Sequence, residues 1–254
     1  MNKSMSLNLK SLAPLTLAIA GLAVAAPSQA DEFTANASIT NNYIWRGLTQ
    51  SLNEAAIQGG LDYSHDSGLY VGTWVSNVEY EAEDAFSYEN DLYAGFASEI
   101  NGFSYDIGYL YYNYDNNADF DFGEIYTNIG YGNLGLSFYL LANTEANAGA
   151  GQDFGFGEAF YASADYTFAL PSETELGLHV GYHDGDFVDA FNGVTKGYVD
   201  YNVSIAKSGF AFMVTGTNLD SDDDDDGIED FASMSARDND KVKFVLSYSL
   251  DFDL

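Results

Sequence analysis

Apolar and polar residues alternate along most of the chain. The last segment, "KVKFVLSYSLDFDL", puts Val242, Phe244, Leu246, Tyr248, Leu250, Phe252 and Leu254 on one face. Lys241, Lys243, Ser247, Ser249, Asp251 and Asp253 lie on the other, where Val245 is the one apolar residue. "TELGLHVGYHDG" sets Leu176, Leu178, Val180 and Tyr182 against Gly177, His179, Gly181 and His183. "AFYASADYTFAL" does the same with Phe160, Ala162, Ala164, Tyr166, Phe168 and Leu170. A period of two, carried by β-branched and aromatic residues, predicts half-buried strands and no helices.

Twelve such segments follow, near 33–45, 55–64, 69–78, 90–100, 103–113, 123–131, 134–143, 158–170, 174–183, 196–206, 209–217 and 241–254. Most are about ten residues long, the length a tilted strand needs to cross a bilayer core. Their connections alternate strictly. "HDSG", "NG", "GN", "LPSE" and "KSG" are short turns, and between them stand longer acidic links such as "NVEYEAEDAFSYE" and "HDGDFVDAFNGVT". Short turns at one end and long loops at the other predict an antiparallel transmembrane β-barrel of about 12 strands, with periplasmic turns and extracellular loops. A soluble β-sandwich also alternates, but nothing in it requires link lengths to alternate. Tyr43, Trp45, Tyr63, Tyr166, Phe168, Tyr248 and Phe252 at the ends of the apolar faces read as interfacial girdles.

The first segment falls outside this pattern. Lys3 and Lys10 mark a positive region, "LAPLTLAIAGLAVAA" is apolar, and "SQA" precedes Asp31. Residues 1–30 are therefore expected to be a removed signal peptide and 31–254 a single barrel domain. The 254-residue chain carries 39 acidic and 8 basic residues, a formal charge of −31, and no cysteine. So few cations exclude nucleic acid as a partner. The mature chain has no run of 18 apolar residues, so no transmembrane helix is expected.

One of the two arginines stands in "NNYIWRGLTQS" (Asn41–Ser51). If the first strand runs to residue 45, Phe33, Ala35, Ala37, Ile39, Tyr43 and Trp45 share a face that Asn41 interrupts. Trp45 then sits at the outer interface and Arg46 points into the lumen, since consecutive strand residues face opposite ways. There Arg46 either tunes ion selectivity at a constriction or pairs with an acid that braces the wall. The elements Tyr43–Gly47 (Tyr-x-Trp-Arg-Gly), Gln58–Tyr63 (Gln-Gly-Gly-x-Asp-Tyr) and Ser67–Ser76 (Ser-Gly-x-Tyr-x-Gly-x-Trp-x-Ser) together resemble the TorF-family porins of proteobacteria. The resemblance is sharp over about 40–80 and architectural beyond it. It implies an outer-membrane, channel-like protein and names no substrate. One departure is the last residue, Leu254, where barrel proteins commonly place an aromatic read by the barrel assembly machinery; Leu254 keeps the outward register.

The expected lumen-facing ionisable residues are Arg46, Asp62, Asp106, Glu124, Asp165, His179, His183, Asp200, Lys241 and Lys243. Rings of acids in a pore favour cations, whereas the same charges in paired networks make only a solvated wall. His179 and His183 lie two pleats apart, roughly 13 Å, and so do not share one metal ion. "DDDDDGIED" offers Asp222, Asp224, Asp226 and Asp230 in the D-x-D-x-D-G order of a calcium loop, although Ser233 stands where the bidentate acid is expected. Runs of like charge are otherwise solvated loops. Three histidines, no cysteine and no Gly-x-Ser-x-Gly leave no recognisable nucleophile, so no enzyme is expected.

The chain thus reads as an outer-membrane porin passing small hydrophilic solutes, cation-preferring, with no required cofactor beyond a possible Ca2+ on the Asp222–Asp230 loop. Its expected partners are outer-membrane lipid and lipopolysaccharide, the assembly machinery and the solutes themselves. The alternative is a closed surface barrel whose acidic loops bind divalent cations or partners; neutral inward residues packing the lumen would favour it.

Overall fold

The computed structural model describes residues 31–81, 85–194, 197–219 and 237–254. The expected signal peptide and the acids Asp222, Asp224, Asp226 and Asp230 lie outside the described residues. The elements in order are β1 (Glu32–Thr40), β2 (Ile44–Trp45), β3 (Leu48–Thr49), β4 (Ala56–Ser64), β5 (Leu69–Asn77), β6 (Tyr88–Ile100) and β7 (Phe103–Asn113). They continue with β8 (Phe122–Tyr131), β9 (Leu134–Thr144), β10 (Ala159–Leu170), β11 (Thr174–Gly185), α1 (Asp186–Asn192), β12 (Tyr198–Lys207), β13 (Phe210–Thr217) and β14 (Lys243–Asp253).

Twelve of these strands, β1 and β4 to β14, form a closed antiparallel barrel of the outer-membrane type, each paired with its chain neighbour. Closure is made by β1, which pairs with β4 on one side and with β14 on the other. A closed barrel satisfies every backbone group internally, which lets it stand in hydrocarbon. No helix among the described residues is long and apolar enough to cross a membrane. The outward positions are apolar and open, as at Ile57, Ile107, Val180 and Leu246. Near the short turns they end in stacked or tilted aromatic pairs: Phe33 with Tyr63, Phe103 with Tyr131, Tyr166 with Phe168 and Phe210 with Tyr248.

The first strand departs from its expected course. It ends at Thr40, and the side chain of Asn41 takes over the ladder. Its Nδ2 donates to the Phe244 carbonyl (3.2 Å) and its Oδ1 accepts from the Leu246 N–H (2.7 Å). A side-chain amide that substitutes for the next peptide frees the backbone to leave the wall. Residues 42–51 then turn into the lumen as the β2–β3 hairpin. Ile44 pairs with Thr49 and Trp45 with Leu48. Arg46 and Gly47 between them have φ of 48° and 83°, the two positive values that a two-residue type I′ turn needs. Gly47 is also required by space, since a Cβ there would lie 2.5 Å from Cβ of Asp200. Tyr43 and Trp45 are therefore not girdle residues. Both are buried inside the barrel.

An arginine on the lipid face near the membrane midplane typically costs about 2–4 kcal/mol, falling to about 0–1 kcal/mol near the interface. Ile107→Arg is accordingly expected to destabilise the barrel by ~2–4 kcal/mol in denaturant unfolding from lipid vesicles. Asn133→Arg, in a short turn, is expected to change it by less than about 1 kcal/mol.

Candidate lumen site

The hairpin carries Arg46 into a cage built by six consecutive strands. Its two terminal nitrogens meet both oxygens of Glu124 on β8, at 2.9 and 2.6 Å. The guanidinium lies over the rings of Trp45 (4.2 Å to the centroid), Tyr161 of β10 (4.5 Å) and Tyr139 of β9 (4.9 Å). Tyr112 of β7 donates to the same Glu124 carboxylate at 3.1 Å. The side chains of Arg46 and Glu124 are each 5% exposed, so this pair is held out of water.

The proton positions around it are consistent. An arginine N–H donates to Nε2 of His183 on β11 (2.9 Å). His183 therefore carries its own proton on Nδ1, where it reaches the Tyr198 hydroxyl at 3.3 Å. Tyr198, on β12, donates in turn to the Arg46 carbonyl (3.0 Å). Nε2 has to accept and Oη has to pass its proton on, so the ring tautomer is fixed by the network.

Above this cage the lumen is packed. Helix α1 folds inward from the β11–β12 link, with Phe187 against Phe122 (5.0 Å) and Phe191 against Phe122 and Trp45 (5.3 and 6.1 Å). A void between these rings, Glu124 and His183 measures about 10 Å³, room for roughly one water. Two neighbouring links are tied side by side at the ends of β6 and β7 by Asp115, which accepts from the backbone of Ser87 and Tyr88 (2.7 and 3.2 Å) and the Ser87 hydroxyl (2.8 Å). Partial burial opposes ionisation of Asp115, and these donors outweigh it, holding the carboxyl below its ordinary range.

Toward the short turns the lumen is polar and partly open. His179 sits between two carboxylates, with Nδ1 2.7 Å from Asp165 and Nε2 2.9 Å from Asp200. Both ring nitrogens face acceptors, the arrangement of a doubly donating imidazolium. The Asp165 side chain is 44% exposed, against 2% for Asp200, so the boundary between wet and dry lumen runs between them. Asp106 accepts from Tyr70 (2.6 Å) and Asn128 (3.2 Å), and Asp62 from Tyr93 (2.5 Å). Glycines of the wall accept the tyrosines: the Tyr161 hydroxyl occupies the place of a Cβ on Gly181.

The two expected lysines take different places. Lys241 precedes β14, is exposed and pairs with Asp240. Lys243 does point inward, but its Nζ is spent on Asn53 (2.9 Å) and the carbonyls of Arg237 (2.6 Å) and Asp238 (2.8 Å). It ties the last link to the hairpin base. His179 and His183 belong to separate networks joined through Tyr161. The described residues also bring His65 within 3.8 Å of Asp31 and 3.1 Å of Asp66 at the first short turn. There the His65 Nδ1 already caps Ser67. The residues that sequence reasoning missed are the cage aromatics and the inward helix. Their one visible signal was Phe187, Val188 and Phe191 at helical spacing in a link read as polar.

Residues 24–250 match the family described as "Bacterial protein of unknown function (Gcw_chp)". The chain belongs to the Gcw_chp family. No curated protein matches it. Among solved structures it is similar to the KdgM porin, at 7% identity and a TM-score of 0.49, over 88% of this chain and 99% of that one. It is similar also to the COG4313 outer membrane channel from Pseudomonas putida F1 (12%, 0.45, 91% and 97%). A third is outer membrane phospholipase A from Escherichia coli (12%, 0.42, 87% and 97%). At these identities and scores no activity is carried over to the Gcw_chp chain.

Removing one member of a buried ion pair strands the other, at a typical cost of about 3–5 kcal/mol. Arg46→Ala is expected to lose roughly that much of the hairpin's closing free energy, read as faster amide hydrogen exchange over residues 43–50. Arg46→Met combined with Glu124→Leu should recover most of the protection, because neither charge then remains buried alone.

Proposed function

We propose that the protein is an outer-membrane channel for small hydrophilic solutes, closed by its own N-terminal hairpin and opened when that hairpin leaves the lumen. The reading rests on one observation: the barrel wall is complete without the segment that blocks it. β1 keeps its full pairing with β4 and β14, while β2 and β3 form a separate two-stranded sheet of two residue pairs inside. A barrel filled only for rigidity would do so with wall side chains. Here part of the seal is an inserted segment, and the charge at its tip is met by one acid, Glu124.

The motif resemblance to the TorF-family porins supports the same class. Export through residues 1–30, assembly with the turns in the periplasm, and long acidic loops facing lipopolysaccharide complete the reading. The open half of the lumen, reached by Asp62 and Asp165 with Asp106 and Asp200 buried behind them, would concentrate cations on the periplasmic side. The rival is a permanently closed surface barrel, favoured by the aromatic packing above Arg46.

Planar-bilayer recording of the refolded mature protein separates the two. The wild type is expected to open rarely, and Arg46→Ala to raise open probability about tenfold or more, the factor that each ~1.4 kcal/mol of lost closure supplies. Replacing residues 43–50 by a short Gly-Ser link should give steady conductance, with a reversal potential under a KCl gradient that reports cation preference. Folded, inserted protein lacking the hairpin and still silent would leave the closed barrel as the function.

A further inference from the structure

Two carboxylates in the packed half of the lumen have no counter-charge among the described residues. Glu89 and Asp91 occupy successive inward positions of β6 and are 2% and 8% exposed. The ion pairs of the described residues use Glu124, Asp31, Asp66, Asp165, Asp200 and Asp240 as acids, and neither Glu89 nor Asp91 is among them. Glu89 accepts from the Tyr43 hydroxyl (2.7 Å) and the Tyr114 hydroxyl (3.0 Å). Asp91 is worse placed: its buried Oδ1 receives no hydrogen bond at all. Its cross-strand neighbours on the inward face are Trp74 and Tyr112, and neither donates to that oxygen. Tyr112 already donates to Glu124.

An isolated carboxylate among aromatic rings is among the costliest groups to bury. Nearly every such group is protonated, paired or ligated to a metal, and no cation of the described residues pairs with either. We propose that Glu89 and Asp91 together hold one hard divalent cation of the Ca2+ type. Oxygen-only ligation suits such an ion, and two carboxylates match its charge. Alternate strand residues project side by side, about 7 Å apart at the backbone, a span that one Asp and one Glu can close around a single ion. Each Glu89 oxygen keeps a second lone pair beyond its tyrosine contact. The ion would tie β6 to Tyr43 of the hairpin through Glu89, next to the cage that holds Arg46. The site is the same whether the lumen conducts or stays closed.

The aromatic surroundings supply the probe. The chain has two tryptophans, Trp45 and Trp74. Trp74 is cross-strand from Asp91, and Trp45 packs on Tyr112 at 5.8 Å. Terbium, a Ca2+ surrogate, is added to the refolded mature protein and excited where tryptophan alone absorbs. The expected result is sensitised terbium emission that Ca2+ displaces. It should survive in a variant carrying Asp222→Asn, Asp224→Asn and Asp226→Asn, and be lost in Asp91→Asn. Glu89→Gln serves if Asp91→Asn fails to fold. If neither folds, Ca2+ must still raise the unfolding temperature of the Asp222, Asp224 and Asp226 variant. Absence of tryptophan-sensitised emission, emission indifferent to Asp91→Asn, or emission lost with the loop acids alone would each overturn the site. The first of these would mean that the two carboxyls are simply protonated.

Discussion

A guanidinium cannot be taken out of water without a partner, and the interior of this barrel is organised around that constraint. Arg46 sits at the tip of a two-residue turn, with its charge met by both oxygens of Glu124 and its faces covered by Trp45, Tyr139 and Tyr161. The pair fixes how deep the hairpin reaches. It also sets which inward residues the wall needs at that level, one from each of β7 to β12. Gly47 follows from the same demand, because the tip has to turn back against Asp200 with no side chain in the way.

Much of the wall was legible in the sequence, because alternation is a local signal that survives whatever fills the lumen. The twelve strands, the strict alternation of turns and links, and the inward placement of Asp106, Glu124, Asp165, His179, His183 and Asp200 all follow from parity. Parity failed where the chain stopped being a strand. Continued through residue 45 it sends Tyr43 and Trp45 to the lipid, and both residues suit an interfacial girdle as well as a core. The clue lay in the interruption at Asn41 and in the pair Arg46–Gly47. An arginine is not the usual first residue of a type I′ turn, so the pair did not announce one. Its positive φ is sustained by contacts with Glu124, His183 and Tyr161, which lie 78 to 137 residues away. No local reading of the sequence contains them.

The lysines illustrate the same limit. Lys243 keeps its inward parity, yet its ammonium is consumed by Asn53 and two carbonyls of the preceding link, and Lys241 lies beyond the strand. Parity says which face a residue takes; it says nothing of what is folded behind that face. Here the lumen is divided into a dry aromatic half under the long links and a polar, acidic half above the short turns. A channel reading and a closed-barrel reading differ in whether the hairpin, and the helix packed on it, can leave.

The inserted hairpin and the buried Arg46–Glu124 pair both require Trp45 to lie inside the barrel. Fluorescence quenching tests that position directly, in vesicles containing the Trp74→Phe variant, which leaves Trp45 as the single tryptophan. Lipids brominated along their chains should quench it weakly at every depth, and aqueous iodide weakly as well. Strong quenching by bromine near the headgroup end of the chains would place Trp45 in the outer girdle, with the first strand running straight through Arg46 and no hairpin in the lumen.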